Sequence, residues 1–226
     1  MRPRISNMQA NNRQRPYEAV IFDLDGTLAD TFPTVMRNYN QVMLDYTGRT
    51  WTLEEMLPHF GPPEDVIFKK FIQDDARQQA ALEAYYRLIE ADGVEIKPFA
   101  GMRELLGQLR TAGKKLAVFT GATTRAGRIR LGHAGLLDFF DEVLGSDGLS
   151  NYKPHPEGLW RLLERFQVAP QAAIFIGDSP LDVRAGREAG VATAAALWGA
   201  GSRESLEAAG PDFLLEQPAQ LRAVFS

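Results

Sequence analysis

The sequence predicts an α/β fold, a doubly wound parallel sheet with a helical layer inserted after its first strand. Three short apolar runs that end in polar residues have the pattern of buried parallel strands. They are YEAVIFD at 17–23, KKLAVFT at 114–120 and QAAIFIGD at 171–178. A turn and a helical pattern follow each run, and this alternation is typical of a doubly wound sheet.

Further strands are predicted in the second half of the chain. Two lie within DEVLGSD at 141–147 and VATAAALWG at 191–199, and PDFLLE at 211–216 is an edge candidate. These segments are short and apolar and alternate with helical patterns, as the first three do. We therefore expect the sheet to continue on both sides of the first strand.

The region from Thr31 to Lys97 contains helical stretches without a convincing strand between them. Because open α/β sheets bind ligands at the carboxyl ends of their strands, a helical layer inserted there is expected to cover the ligand site. Asp30 is expected to cap the first helix of this layer or its hinge. The predicted organisation is a mobile tail at 1–16, a core at 17–30 and 98–226, and a helical domain at 31–97.

Composition limits the class of protein. Of the 226 residues, 45% are hydrophobic and 24% are charged, and no run approaches the ~18 apolar residues of a membrane span, so a cytoplasmic protein is expected. Without cysteine, a disulfide framework, a thiolate metal site and a thiol nucleophile are excluded. The four arginines of 1–16 suggest a solvated tail rather than a nucleic-acid arm, because they are dispersed. The remaining chain is acidic, which argues against a nucleic-acid-binding surface on the body of the protein.

Polar clusters occur at or just after the ends of the predicted strands. They are Asp23 with Asp25, Thr120 with Gly121, Lys153, and Asp178 with Asp182. If the strands are parallel, all four clusters meet at one edge of the sheet. Each cluster alone has a structural explanation, such as a helix N-cap, a turn or a surface lysine. Their occurrence in order along the chain favours a site.

The charges in these clusters require compensation. Two carboxylates ~4 Å apart repel by roughly 4 kcal/mol at an effective dielectric constant near 20, so Asp23 and Asp25 call for a cation. Oxygen ligands from Asp23, Asp178 and a backbone carbonyl favour a hard ion, and Mg²⁺ is the natural choice. Lys153, the Thr120 hydroxyl and backbone N–H groups could then bind an incoming phosphate.

Such a site suits nucleophilic phosphoryl transfer. One carboxylate attacks phosphorus to give an aspartyl phosphate, which divides a difficult hydrolysis into two steps. The second carboxylate protonates the leaving alkoxide and later takes a proton from the hydrolytic water. One carboxylate pair thus serves both half-reactions.

Four segments resemble the ordered motifs of the haloacid dehalogenase superfamily, specifically its phosphatase branch. The segments are FDLDGTLAD, FTGA, NYKPHPE and GDSPLDVRAGREAG, and the resemblance extends from Tyr17 to Trp198. It implies a Rossmann-like core with a helical cap domain at 31–97. Within the cap, LPHFGPPEDV is similar to the substrate-specificity loop of phosphoglycolate phosphatases.

The resemblance also implies individual roles. Asp23 would be the nucleophile, and Asp25 would be the general acid and base whose backbone carbonyl also binds Mg²⁺. Asp178 would be a direct metal ligand. Asp182 would hold metal-bound water or orient Lys153, which would steady the nucleophile and the transferred phosphoryl group.

The phosphate-binding residues implied by the resemblance are Thr120, Gly121 and Lys153. Gly121 departs from the family pattern, since the phosphoglycolate-like branch commonly has Asn after the Thr or Ser of this motif. The Thr120 hydroxyl and the backbone N–H of Gly121 remain, so we expect phosphate binding to remain as well. A side-chain contact to the substrate or the cap is missing.

The expected activity is Mg²⁺-dependent hydrolysis of a small phosphomonoester, as in phosphoglycolate phosphatases. A β-phosphoglucomutase-like mutase and a pyrophosphatase of the same family are the alternatives. A dehalogenase would need neither Asp25 nor Asp178, and a phosphoacceptor receiver domain would have roughly half this length. The expected partner is a small phosphorylated metabolite rather than a nucleic acid or a membrane, and the protein is expected to be a monomer or a homodimer.

Overall fold

The computed structural model describes residues 17–92 and 96–225, and the tail predicted at 1–16 lies outside them. The strands in the described residues are β1 (Ala19–Phe22), β2 (Ala29–Asp30), β3 (Lys97–Pro98), β4 (Lys115–Phe119), β5 (Glu142–Leu144), β6 (Ala173–Gly177), β7 (Ala192–Ala196) and β8 (Phe213–Leu215). The α-helices are α1 (Phe32–Thr47), α2 (Leu53–Met56), α3 (Glu64–Phe71), α4 (Asp75–Ala91), α5 (Met102–Thr111), α6 (Thr124–His133), α7 (Glu157–Phe166), α8 (Pro180–Ala189), α9 (Arg203–Ala209) and α10 (Leu221–Val224). In the described part of the chain, no helix combines the length and apolar character needed to cross a membrane.

Six strands form one parallel sheet in the order β5-β4-β1-β6-β7-β8. The first strand lies inside the sheet, with β4 on one side and β6 on the other. Open α/β sheets bind ligands at the carboxyl edge where the winding changes direction, which here is the end of β1. The predicted α/β class and parallel sheet are confirmed, with β8 as an edge strand.

The sheet lies between two apolar layers. Val20 and Phe22 of β1 point into one layer and pack with α5, whereas Ala19 and Ile21 point into the other layer and pack with α7 and α8. Successive side chains of a strand point to opposite faces. Because both faces are covered, every residue of β1 and β6 is buried, which explains their uninterrupted apolar runs.

Helices α1 to α4, called the helical unit below, have an apolar core of their own. Tyr39, Val42 and Met43 of α1 follow the helical spacing of a buried stripe and pack with residues of α3 and α4. Ala122, just before α6, and Ala126, within α6, complete this core. The helical unit therefore packs directly against the part of the sheet domain that follows β4.

A two-residue antiparallel ladder joins the two chain crossings between the helical unit and the sheet domain. Ala29 lies opposite Pro98, and Asp30 lies opposite Lys97. Of the two places expected for Asp30, the helix cap is wrong, since Thr31 occupies the N-cap position of α1. Asp30 lies instead in the ladder at the hinge. Thr31 makes no side-chain cap bond because its hydroxyl donates to Asp25 instead.

Two helical glycines allow a matched test of packing. In Gly158→Ala, the new Cβ would lie 2.4 Å from the ring of Phe119, a buried side chain of β4. Overpacking costs ~1–3 kcal/mol, more than the ~1 kcal/mol by which Ala favours a helix over Gly. We expect a lower free energy of unfolding in urea.

Gly132→Ala in α6 is the control, since nothing lies within 4 Å of the added Cβ. Here the helix propensity acts alone, and we expect the free energy of unfolding to rise by up to ~1 kcal/mol. A stabilised Gly158→Ala variant would show that the packing of α7 on β4 is looser than described.

Candidate active site

Strand register and the first turn of α8 bring three carboxylates to the carboxyl edge of the sheet. Phe22 pairs with Ile176 across β1 and β6, so that Asp23 and Asp178 follow the ends of neighbouring strands. Asp182 comes from the first turn of α8. Each of the three carboxylates is buried and supplies an oxygen to a group whose members lie within 4.8 Å of one another.

The turn after β1 lies directly against Asp178. Gly26 has a positive φ of 82°, and a Cβ there would lie 2.4 Å from Asp178 Oδ2, so both conformation and space require glycine. The Thr27 hydroxyl donates to Asp178 Oδ1 at 3.2 Å, and the Ala200 N–H donates to Oδ2 at 2.7 Å. These contacts fix the orientation of the Asp178 carboxylate.

Lys153 connects two of the carboxylates. Its Nζ donates to Asp23 Oδ1 and to Asp182 Oδ1, each at 2.7 Å, and it lies 4.8 Å and 5.1 Å from the ring centroids of Phe119 and Phe175. Burial opposes the charge on this lysine, but Asp182 and Asp23 outweigh burial and raise the pKa of Lys153. Lys153 is therefore a fixed cation inside the cluster.

Asp182 has a second function as part of a capping box. Its Oδ2 accepts hydrogen bonds from the Ser179 N–H at 3.1 Å and from the Ser179 hydroxyl at 2.5 Å. The Ser179 oxygen in turn accepts from the Asp182 N–H at 3.2 Å. The helix start thus holds Asp182 in place, and its other oxygen remains on Lys153.

The cluster contains more negative charge than its lysine balances. Burial raises the pKa of Asp23 well above its ordinary value, with Lys153 opposing this shift and Asp182 and Asp178 adding to it. Burial, followed by the charge of Asp182, raises the pKa of Asp178 to about 7. A buried, oxygen-only group with uncompensated negative charge fits a hard divalent cation.

Asp25 is held by side chains from three separate segments. The Thr31 hydroxyl donates to Oδ1 at 2.6 Å, and the Thr120 hydroxyl lies 3.5 Å from Oδ2. Arg130 Nη1 donates to Oδ2 at 3.0 Å. Asp25 is the most exposed of the site carboxylates, with 21% of its side chain accessible, and it faces the cavity described next.

A cavity of about 230 Å³ opens over the cluster. Of the predicted site residues, all but Thr120 line it: Asp23, Asp25, Gly121, Lys153, Asp178 and Asp182. The remaining wall is mainly apolar and comes from the helical unit, the segment before α3 and the start of α8; it includes Phe32, Tyr39, Phe60, Pro62, Ile67 and Leu181.

Gly121 permits a close approach between the sheet domain and the loop before α3. A Cβ at position 121 would lie 3.1 Å from the carbonyl oxygen of Gly61, tighter than an ordinary van der Waals contact. A side chain at position 121, such as the asparagine of the family pattern, would require the Gly61 backbone to shift by a few tenths of an ångström.

Arg130 and Glu64 belong to the site but were not predicted from the sequence. Arg130 Nη2 donates to Glu64 Oε1 at 3.0 Å and to the Tyr85 hydroxyl oxygen, while Nη1 binds Asp25. Glu64 Oε2 accepts from the Thr123 N–H at 2.6 Å. The sequence signal is the helical spacing of Arg130, which lies four residues after Ala126 and three after Gly127. These residues and Leu131 are the other buried residues of α6.

Both a protein family and individual proteins of similar sequence relate this chain to hydrolases. The family described as haloacid dehalogenase-like hydrolase matches residues 20–196. The pyrophosphatase PpaX of Bacillus cereus (strain B4264) is 30% identical over 208 residues, which are 92% of this chain and 95% of that protein.

Solved structures share the fold over nearly the whole chain. A predicted phosphoglycolate phosphatase from Haemophilus somnus 129PT has a TM-score of 0.81 and 22% identity, covering 93% of this chain and 98% of that one. A mutant of CbbY from Rhodobacter sphaeroides, solved in complex with xylulose-(1,5)-bisphosphate, has a TM-score of 0.80 and 25% identity. The match covers 91% of this chain and 96% of that one.

The raised pKa of Asp178 predicts how stability depends on pH. In EDTA, the folded protein keeps a proton on Asp178 up to about pH 7, whereas the unfolded chain loses it near pH ~4. The stability from this carboxyl is therefore present below pH ~4 and is lost as pH rises through the folded pKa. Since Asn cannot ionise, Asp178→Asn should be more stable than the parent at pH 8, by on the order of 1 kcal/mol or more, with little difference at pH 4.

Urea denaturation in EDTA at the two pH values measures this difference. Glu54→Gln, an exposed acid-to-amide change in α2, is the control and should behave alike at both. If Asp178→Asn gained the same stability at pH 4 as at pH 8, the repulsion in the cluster would not be its cause.

Proposed function

Because this chain belongs to the haloacid dehalogenase-like hydrolases, we propose that it is a phosphatase that hydrolyses a small phosphomonoester through an aspartyl phosphate on Asp23. The observation that supports this most strongly is the buried group of Asp23, Asp178, Asp182 and Lys153, with Asp25 beside it in the same cavity. In this proposal the helical unit is the cap over the site.

The donor set supports Mg²⁺ as the cofactor. Asp23, Asp178 and the backbone carbonyl of Asp25 would hold the ion, while Asp182 keeps its contacts to Ser179 and Lys153. When bound, the ion supplies positive charge and Lewis acidity for the phosphoryl oxygens. The oxygen-only composition of the group and the raised pKa values of Asp23 and Asp178 favour such an ion over a soft metal.

The residues of the chain would carry the chemistry in two half-reactions. In the first, a carboxylate oxygen of Asp23 attacks phosphorus, the bond to the leaving oxygen breaks, and Asp25 gives that oxygen its proton. In the second, Asp25 takes a proton from water as the water oxygen attacks phosphorus, which releases phosphate and restores Asp23. Lys153 would hold Asp23 and contact the transferred phosphoryl group throughout.

Thr120 would contribute to phosphate binding together with the backbone N–H of Gly121. In the structure its hydroxyl lies 3.5 Å from Asp25 Oδ2 and accepts from the Ala122 N–H at 3.2 Å. The long contact to Asp25 is weak, so that the hydroxyl can turn toward a bound phosphate at little cost.

The cavity supports a small substrate. Its volume of about 230 Å³ is below the ~300–1,000 Å³ of sites that hold drug-sized ligands. The apolar wall suits a compact leaving group, and phosphoglycolate has a suitable size. We therefore propose a small metabolite ester rather than a phosphoprotein or a nucleic acid.

Pyrophosphate is the second candidate, because PpaX is 30% identical over most of both chains. A pyrophosphatase or a phosphosugar mutase must hold a second phosphate away from the nucleophile. Among the described residues that line the cavity, the cations are Lys153 and Arg130, and each already lies between two carboxylates. A second phosphate carries more negative charge than the leaving group of a small monoester such as phosphoglycolate, and the geometry thus favours the monoester.

The mechanism predicts that activity depends on both a divalent cation and Asp23. We expect phosphate release from p-nitrophenyl phosphate with Mg²⁺, and none above background with EDTA. Asp23→Asn should lower kcat by at least ~1,000-fold, since it removes the nucleophile. Asp30→Asn, an exposed change in β2, is the matched control and should retain activity. Release that persists in EDTA and in the Asp23 variant would overturn the proposal.

A substrate panel tests the size and charge of the leaving group. Phosphoglycolate and other compact monoesters should have kcat/KM values at least ~10-fold above those of nucleoside monophosphates and pyrophosphate, a difference of about 1.4 kcal/mol in transition-state stabilisation. Steady-state phosphate release measures each value. A preference for pyrophosphate would establish the second candidate instead.

A further inference from the structure

A buried ionic network connects the helical unit to Asp25. Arg130 of α6 lies between Asp25 and Glu64, with 3.0 Å to an oxygen of each. The arginine and Glu64 side chains are 3% and 2% exposed. Glu64 is the first residue of α3, and so the chain of contacts runs from the helical unit through a core helix to the proposed acid and base.

Such a network is costly unless its geometry is good. Burial opposes the charge on Arg130, but Asp25, Tyr85 and Glu64 outweigh burial and raise its pKa. Arg130 Nε is buried and has no hydrogen-bond partner in the described part of the chain. Replacing buried ion pairs with apolar residues is often neutral or stabilising. Stability alone therefore gives a weak reason for placing Arg130 here.

The forked shape of arginine explains what this residue does that a lysine could not. Its two terminal nitrogens donate in different directions with fixed geometry, so Nη2 on Glu64 determines where Nη1 meets Asp25. Glu64 is itself fixed by the Thr123 N–H at the start of α6. Moving or neutralising Glu64 would thus change the contact on Asp25 without touching Asp25.

We propose that Arg130 and Glu64 are positioning residues for Asp25, with Glu64 holding Arg130 in the orientation that directs the Asp25 carboxyl toward the leaving oxygen. This inference rests on the proposed function, because it assigns Asp25 the role of general acid. Its consequence is that proton donation depends on a residue of the helical unit. A purely structural contact between the two parts would have no such consequence.

Leaving-group dependence distinguishes these two possibilities. Phenolate is a much more basic leaving group than p-nitrophenolate, so phenyl phosphate needs a proton from the acid and p-nitrophenyl phosphate needs it far less. The two esters have nearly the same shape, and their kcat/KM ratio, measured on one preparation, is independent of the folded fraction. A positioning defect changes this ratio, whereas partial unfolding does not.

The experiment measures this ratio with Mg²⁺ for the parent and three variants. Glu64→Gln should lower kcat/KM for phenyl phosphate at least ~10-fold more than for p-nitrophenyl phosphate, a fraction of the ~10²–10⁴ that general acid catalysis contributes. Arg130→Lys should show the same selective loss, and it replaces Glu64→Gln as the test if that variant does not fold. Asp25→Asn is the reference and should show the largest selective loss.

Two exposed ion pairs between α6 and another helix of the helical unit provide the control. Arg125 of α6 binds Glu83 and Glu90 of α4 at 3.1 Å and 3.0 Å, with each side chain more than 40% exposed. Exposed pairs contribute ~0–1 kcal/mol. The double variant Glu83→Gln, Glu90→Gln weakens the junction without reaching Asp25, and its ratio should equal that of the parent.

The outcomes separate this inference from the proposed function. A selective loss in Asp25→Asn together with a parental ratio in the folded Glu64 and Arg130 variants would overturn the inference alone. The absence of a selective loss in Asp25→Asn would overturn the acid role and, with it, the proposed mechanism. A selective loss in the Glu83 and Glu90 control would also overturn the inference, since any loosened junction would then produce the effect.

Discussion

The arrangement of the site depends on the repulsion among carboxylates that the fold brings together at the end of β1. Asp23, Asp178 and Asp182 present oxygens within 4.8 Å of one another, where unit charges repel by several kcal/mol at an effective dielectric constant near 20. Lys153 offsets part of this repulsion, and the pKa values of Asp23 and Asp178 remain raised. In the proposed function, a divalent cation bound there would recover part of this repulsion as binding free energy.

The surrounding structure keeps each carboxylate in place against that repulsion. The parallel register sets the distance between the ends of β1 and β6, the capping box fixes Asp182, and the Gly26 turn brings backbone against Asp178. Two apolar layers anchor the strands beneath. The charges could not relax apart without breaking these contacts, so the rigidity of the sheet maintains the site.

The sequence was sufficient to predict the carboxylate cluster, because Asp23 and Asp178 directly follow buried strands and the direction of parallel strands places their ends together. It was not sufficient for Arg130 or Glu64. An arginine in a helix is usually solvated, and one glutamate in a first turn usually interacts with the helix dipole. Their importance arises only from the packing of α3 against α6, a contact between segments 66 residues apart. Gly121 is similar, since its close contact with the Gly61 backbone becomes visible only in the folded structure.

The two carboxylates of the first motif are held by different means, and this difference matches the chemistry proposed for each. Asp23 is buried in the sheet edge and held by a lysine of the sheet domain, as a nucleophile that must stay aligned with phosphorus requires. Asp25 is partly exposed and held by side chains, and one of these, Arg130, is tied through Glu64 to the helical unit. That unit also forms part of the wall against which a leaving group would lie. Under the proposed function and the inference about Arg130 and Glu64, selection of the leaving group and donation of its proton would depend on the same packed interface, so that a change in one is expected to alter the other.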